Sequence, residues 1–236
     1  MSSGWLVDER RSVQDPELQD IQHALDTPPG MRAARLPTLT LAVRIGELIV
    51  HDTHKWFGSA NLRLDAIVSH GGGDGKNAQS YYMPRTVRFS GVVDGSSLLA
   101  TDTRLLIFHG RARHFINISL LLSRETSDSD DLAHLLTAGL GGAELTGAAT
   151  SLVALTPFAP QAAAVRTALK AASAVGDYAY RVLRTVSEHA IGLYHGSFLQ
   201  LADDFGLDPG RHPKRGLHQQ QDFSFWFEIL DETASK

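Results

Sequence analysis

Apolar and polar positions alternate with a period of two along most of this chain, and in one long internal stretch the period becomes that of a helix. Leu39, Leu41, Val43 and Ile45 alternate with Thr40, Ala42 and Arg44, which predicts a half-buried strand that Leu48–Val50 either extends or follows. Leu62, Leu64, Ala66 and Val68, set against Arg63, Asp65 and Ile67, predict a second strand. Val87, Phe89 and Gly91 predict a third, and Leu105, Ile107 and His109 a fourth. Phe115, Ile116, Ile118, Leu120 and Leu122 predict a fifth, apolar on both faces and so close to a core. Phe223, Phe225, Phe227 and Ile229 alternate with Ser224, Trp226 and Glu228 and predict a terminal strand. Short strands separated by turn residues argue for a sandwich or a barrel.

Between Ser127 and Gly192 the spacing is helical. Asp128 or Ser129 caps a helix over Leu132, Leu135, Leu136 and Leu140, and a second apolar stretch runs from Gly141-Gly142 to Pro157. A third helix carries Val165, Leu169, Ala172, Val175, Ala179, Val182, Val186 and Ala190 on one stripe. The predicted fold class is therefore mainly β with an α insertion: an antiparallel sandwich interrupted by two to three helices. The expected organisation is an N-terminal arm over 1–35, the first part of the sandwich over 36–126, the helical insertion over 127–192 and final strands over 193–236.

Composition narrows the chemistry. The chain has 236 residues, long enough to bury a sizeable core, with 43% hydrophobic and 20% charged residues as in ordinary globular proteins. A formal net charge of -4 and a pI near 6.2 leave no global basic field, so no nucleic-acid partner is expected. The absence of cysteine excludes disulfides, thiolate zinc sites and a cysteine nucleophile. The first twenty residues are polar, with no basic region leading into an apolar run; a signal peptide is not expected, and the expected location is cytoplasmic.

The run Gly46–Asp52 followed by Gly58–Leu64, and the run Leu105–Arg111 through His114–Asn117, resemble strands and loops of a C2 domain. The resemblance covers roughly Leu36–Arg124 and the last strand. It sets Asp52 and Asn61 at the family's first two loop positions, and His109, Arg111 and His114 where the family places further aspartates. Imidazole and guanidinium groups cannot supply the hard oxygen ligands that calcium takes, so the resemblance implies a calcium-independent domain. The same segment is locally basic, and His109, Arg111, Arg113 and His114 are candidates to contact an anion or a lipid headgroup.

His51, Asp52 and His54, with Asn61, are candidate metal ligands, since two imidazoles three residues apart beside a carboxylate suit zinc or iron. Asp203, Asp204 and Asp208, with Asp128, Asp130 and Asp131, are candidates for acid–base work by residue type alone. No Gly-x-Ser-x-Gly elbow or Walker loop occurs. The leading expectation is a non-enzymatic binding or assembly module. It would contact a protein partner or a second copy through sandwich loops and through Val165, Leu169 and Val182 of the insertion, and no cofactor is expected. One alternative is a membrane-associating protein whose apolar insertion and basic segment meet lipid. In its favour, Leu132–Val165 contains just His134 and Glu144 as ionisable residues. Another is a metal-dependent hydrolase built on His51, Asp52 and His54.

Overall fold

A computed structural model of the chain describes residues 37–71, 82–125 and 189–233. The first alternating segment forms β1 (Leu39–Val50), with Leu41, Val43 and Ile45 pointing inward. A register shift against the last strand between Ile45 and Glu47 changes the phase, so Leu48 and Val50 also point inward. This is why the alternation breaks at Gly46 while the strand continues. The other strands are β2 (Ala60–His70), β3 (Tyr82–Val92), β4 (Leu105–Ala112), β5 (Phe115–Arg124), β6 (Ala190–Leu199), β7 (Arg211–His212), β8 (His218–Gln219) and β9 (Phe223–Asp231). They build two antiparallel sheets: β4-β1-β9-β7, with β8 also on β9, and β3-β2-β5-β6. The inner faces of β1 and β9 share one apolar core with those of β2 and β5, which makes the fold an antiparallel β-sandwich.

The expectation of a mixed β and helical fold is corrected. The described residues are nearly all β, and their helical pieces are a single turn α1 (Gln200–Asp203) and a 3-10 turn at Asp204–Gly206. Most of the expected insertion, including Val165, Leu169 and Val182, lies outside the described residues, as do the 1–35 arm and the Leu132–Val165 stretch. Where the expected insertion can be compared with the structure, it is wrong: Ala190, placed on a helical stripe, begins β6 opposite Ser123. The inward face of β6 explains the error. It reads Gly192, Tyr194, Gly196, Phe198, and a Cβ at Gly192 would sit 2.7 Å from the Phe223 ring. Glycine is needed there to admit the aromatic of β9, and it removes the apolar alternation that marks a strand. No helix among the described residues is long and apolar enough to cross a membrane.

Aromatic side chains fill this half of the core. Phe223, Phe225 and Phe227 of β9 are fully buried, and Tyr194 meets Phe225 edge-on at 4.9 Å between ring centroids. Phe198 packs on Phe227 in the same way at 5.9 Å. The outward face of β2 and β5 is also buried, and it mixes polar residues with Ile67 and Leu121. Arg63 Nε meets Asp65 Oδ2 at 2.7 Å, and the Thr86 hydroxyl donates to Asp65 Oδ1 at 2.6 Å. Burial raises the carboxyl pKa of Asp65, while Thr86 and Arg63 draw it back down.

At one end, four segments are tied together. Gln200 accepts the amide of His114 at 3.0 Å with its side chain, and its own amide donates to the His114 carbonyl at 2.9 Å. Its side-chain nitrogen donates to Pro37 O at 2.7 Å, and Gly71 N donates to Phe115 O at 3.2 Å. His114 lies in this crossover between the sheets with φ 68, and His70 packs its ring on Phe108 at 5.1 Å. Both imidazoles are buried, and desolvation lowers each pKa to about 4.

Asp65→Ala removes the carboxylate that Arg63 and Thr86 both meet, and the urea midpoint should report a loss of stability of about 1–3 kcal/mol. For the histidines, the unfolded chain binds protons near pH 6.5 and the folded chain near pH 4. Stability is therefore full above that window and falls as pH drops through it. His70→Phe should flatten that fall in a pH series of thermal midpoints.

Candidate functional site

The opposite end of the sandwich gathers the loop between β1 and β2, residues 51–59, the turn after β3 and the turn before β9. Backbone hydrogen bonds join the three: Val50 N to Ser96 O at 3.0 Å, Gly95 N to Val50 O at 2.8 Å and His51 N to Asp222 O at 2.7 Å. Thr53 is buried and donates both its amide and its hydroxyl to Asp94 Oδ1, each at 2.8 Å. That backbone donor, with the hydroxyl second, holds the Asp94 carboxyl below the usual carboxylate range. The loop then turns at His54, whose φ is 57 and whose amide donates to Asp52 Oδ1 at 2.6 Å. Arg124 donates to the His54 carbonyl at 3.0 Å, and Lys55 to the carbonyl of Ser59.

On this frame His54 Nε2 meets Asp222 Oδ2 at 2.8 Å, and Asp52 stands beside them. Donor atoms of Asp52, His54 and Asp222 lie within 4.8 Å of one another, with Asp52 and His54 exposed and Asp222 partly buried. One imidazole nitrogen and two carboxylates are a donor set that a borderline divalent cation accepts, and they are fewer oxygens than calcium takes. Of the four metal candidates, the fold brings together Asp52 and His54. The His51 imidazole turns away to Ser224 Oγ at 2.9 Å, and Asn61 accepts the amide of Gly91 at 3.3 Å.

The loop carries the most exposed large apolar side chains of the described residues. Trp56 is 92% exposed and Phe57 85% exposed, and Val93, in the turn that Thr53 and Asp94 tie to this loop, is 51% exposed. These are all the exposed large hydrophobics among the described residues, and all of them sit at one end. Soluble surfaces tolerate single scattered apolar residues, so the informative feature is that they are gathered.

The basic candidates do not converge. His109 and Arg111 project from β4 into solvent on the outer face of its sheet, where His109 meets Glu232 at 3.1 Å. Arg113 is partly buried and His114 buried in the crossover. The segment read as a basic loop is thus mostly strand. Among the carboxylates, Asp203 is exposed and accepts the amide of Leu199 at 2.8 Å, and partial desolvation by the surrounding chain lifts its pKa to about 6. Asp128, Asp130 and Asp131 lie outside the described residues. Ser119 Oγ lies 2.8 Å from His195 Nδ1 on the outer face of β5, but Ser119 is buried and lacks the access a nucleophile needs.

Sequence reasoning missed Asp94 and Asp222, which reach the site only by folding. It also passed over Trp56-Phe57, although an aromatic pair among turn-forming polar residues is legible. A scan of protein-family models, a search of curated proteins and a search of solved structures each found no match to the chain.

Removing the Asp94 carboxylate should loosen the loop and leave the core intact. In Asp94→Ala, hydrogen exchange at the Thr53 amide should quicken by about tenfold or more, while amides of β1 and β9 keep their rates.

Proposed function

We propose that this chain is a non-enzymatic binding module of C2-like type that docks through the loop end carrying Trp56, Phe57 and Val93. The observation that carries the reading is the gathering of the exposed large hydrophobics of the described residues on two loops joined by Thr53 and Asp94. A braced loop that holds aromatic side chains in water gains on binding, because little ordering entropy remains to be lost. Tryptophan is also enriched among the few residues that dominate contact energies. The C2-like part of the reading rests on the two antiparallel sheets and on the Gly46–Asp52 run, which ends β1 and opens this loop. Docking by sandwich loops needs no cofactor and no calcium.

The test is site-specific photocrosslinking of the full chain in its native host. A photoreactive residue at position 56, 57 or 93 should form adducts with a protein or a lipid, whereas one at Arg111, on the outer face of the β4-β1-β9 sheet, should form few. Equal adducts at all four positions, or none at the loop end, would overturn the proposal.

A further inference from the structure

Two carboxylates converge on one imidazole at the loop end, and no lysine or arginine among the described residues pairs with either of them. Like charges held so close repel, and the neighbouring imidazole of His54 carries a positive charge only when protonated. A cation bound between the carboxylates removes that repulsion. We infer that Asp52, His54 and Asp222 bind one zinc ion, which ties the loop of residues 51–59 to the turn before β9. The inference concerns the metal alone and holds whatever docks on the aromatic side chains.

The distances suit that ion. His54 Nε2 and Asp222 Oδ2 stand 2.8 Å apart, and the three donor atoms lie within 4.8 Å of one another. Zinc bonds to imidazole nitrogen and carboxylate oxygen are about 2.0–2.2 Å long, so neighbouring ligand atoms on one ion lie roughly 3–3.5 Å apart. Small side-chain rotations carry the cluster to that spacing. The backbone at His54 is set by a φ of 57, by Asp52 Oδ1 on its amide and by Arg124 on its carbonyl. A neutral imidazole with its proton on Nδ1 presents the Nε2 lone pair to the metal. Asp52 and His54 are exposed, so water reaches the remaining position, and three protein ligands with one water is an arrangement zinc adopts.

The donor set also selects the ion. One nitrogen with two carboxylates suits zinc, which accepts both donor types. Calcium takes about six to eight oxygens, and Asn61 adds none, because its side-chain oxygen accepts the Gly91 amide at 3.3 Å. The site differs from the His51, Asp52 and His54 set that spacing in sequence suggests. His51 turns to Ser224 Oγ at 2.9 Å, and its place is taken by Asp222, 168 positions from His54 along the chain.

Calorimetric titration of zinc into the untagged full chain tests this. The wild type should bind one ion with an affinity in the micromolar range or tighter. His54→Gln and Asp222→Asn should each weaken binding about tenfold or more, while His51→Gln keeps the wild-type affinity. Calcium or magnesium at millimolar concentration should not displace the zinc. Metal-free thermal midpoints taken alongside identify any variant that has lost its fold, and Asp52→Asn then serves in its place. No bound zinc, zinc held as tightly by Asp222→Asn as by the wild type, or a loss in His51→Gln equal to that in His54→Gln would each overturn the inference. Calcium bound more tightly than zinc would overturn it too.

Discussion

Antiparallel pairing of β1 with β9 is the constraint on which the rest of the molecule depends. The two strands stand near opposite ends of the described chain, and they match from Leu41 opposite Asp231 to Val50 opposite Phe223. Side chains and turns lock the same pair at its outer end, where Arg44 meets Glu232 at 2.5 Å and Glu232 N donates to Thr40 O at 2.8 Å. Closing so long a loop costs conformational entropy that grows only with the logarithm of its length, so a long ladder can offset it. Without the pairing, β4 and β7 would have no central strands to join. Asp222 would also not reach His51 and His54.

Core packing extends from that pairing. β9 places Phe223, Phe225 and Phe227 on the inner face, each worth about 1.5–3 kcal/mol of transfer energy when fully buried. Rings of this size need room across the sandwich, and β6 supplies it at Gly192, where a Cβ would meet the Phe223 ring, while its Tyr194 and Phe198 pack edge-on against Phe225 and Phe227. At the far end, Gln200 binds the β4–β5 crossover and the entry to β1, so both sheets are held at both ends. The loops are therefore presented by a braced frame.

Legibility in the sequence followed how locally each feature is encoded. Strands β1, β2, β4, β5 and β9 announce themselves because one face is apolar and the other polar, or both are apolar as in β5. β6 does not, because its core-facing positions are half glycine. β7 and β8 have two residues each, too few for any period to appear. The candidate site was half legible. Asp52 and His54 are neighbours in sequence, whereas Asp94 and Asp222 come from turns whose position depends on long-range pairing. His109 and Arg111 looked like a basic loop because charge in sequence carries no direction; once in β4, alternate residues face one side of a sheet and the intervening ones face the core.

The loop end thus depends on a constraint at the level of the fold: strand closure braces a loop, and the loop holds aromatic side chains in water. Hydrogen exchange read by mass spectrometry across the full chain, in the wild type and in Phe223→Ala beside Val50 on the ladder, tests that link most directly. Weakening the closure of β1 on β9 should quicken exchange in residues 51–59 and in the turn around Val93. Loop exchange that keeps its wild-type rate while β1 and β9 loosen would contradict it.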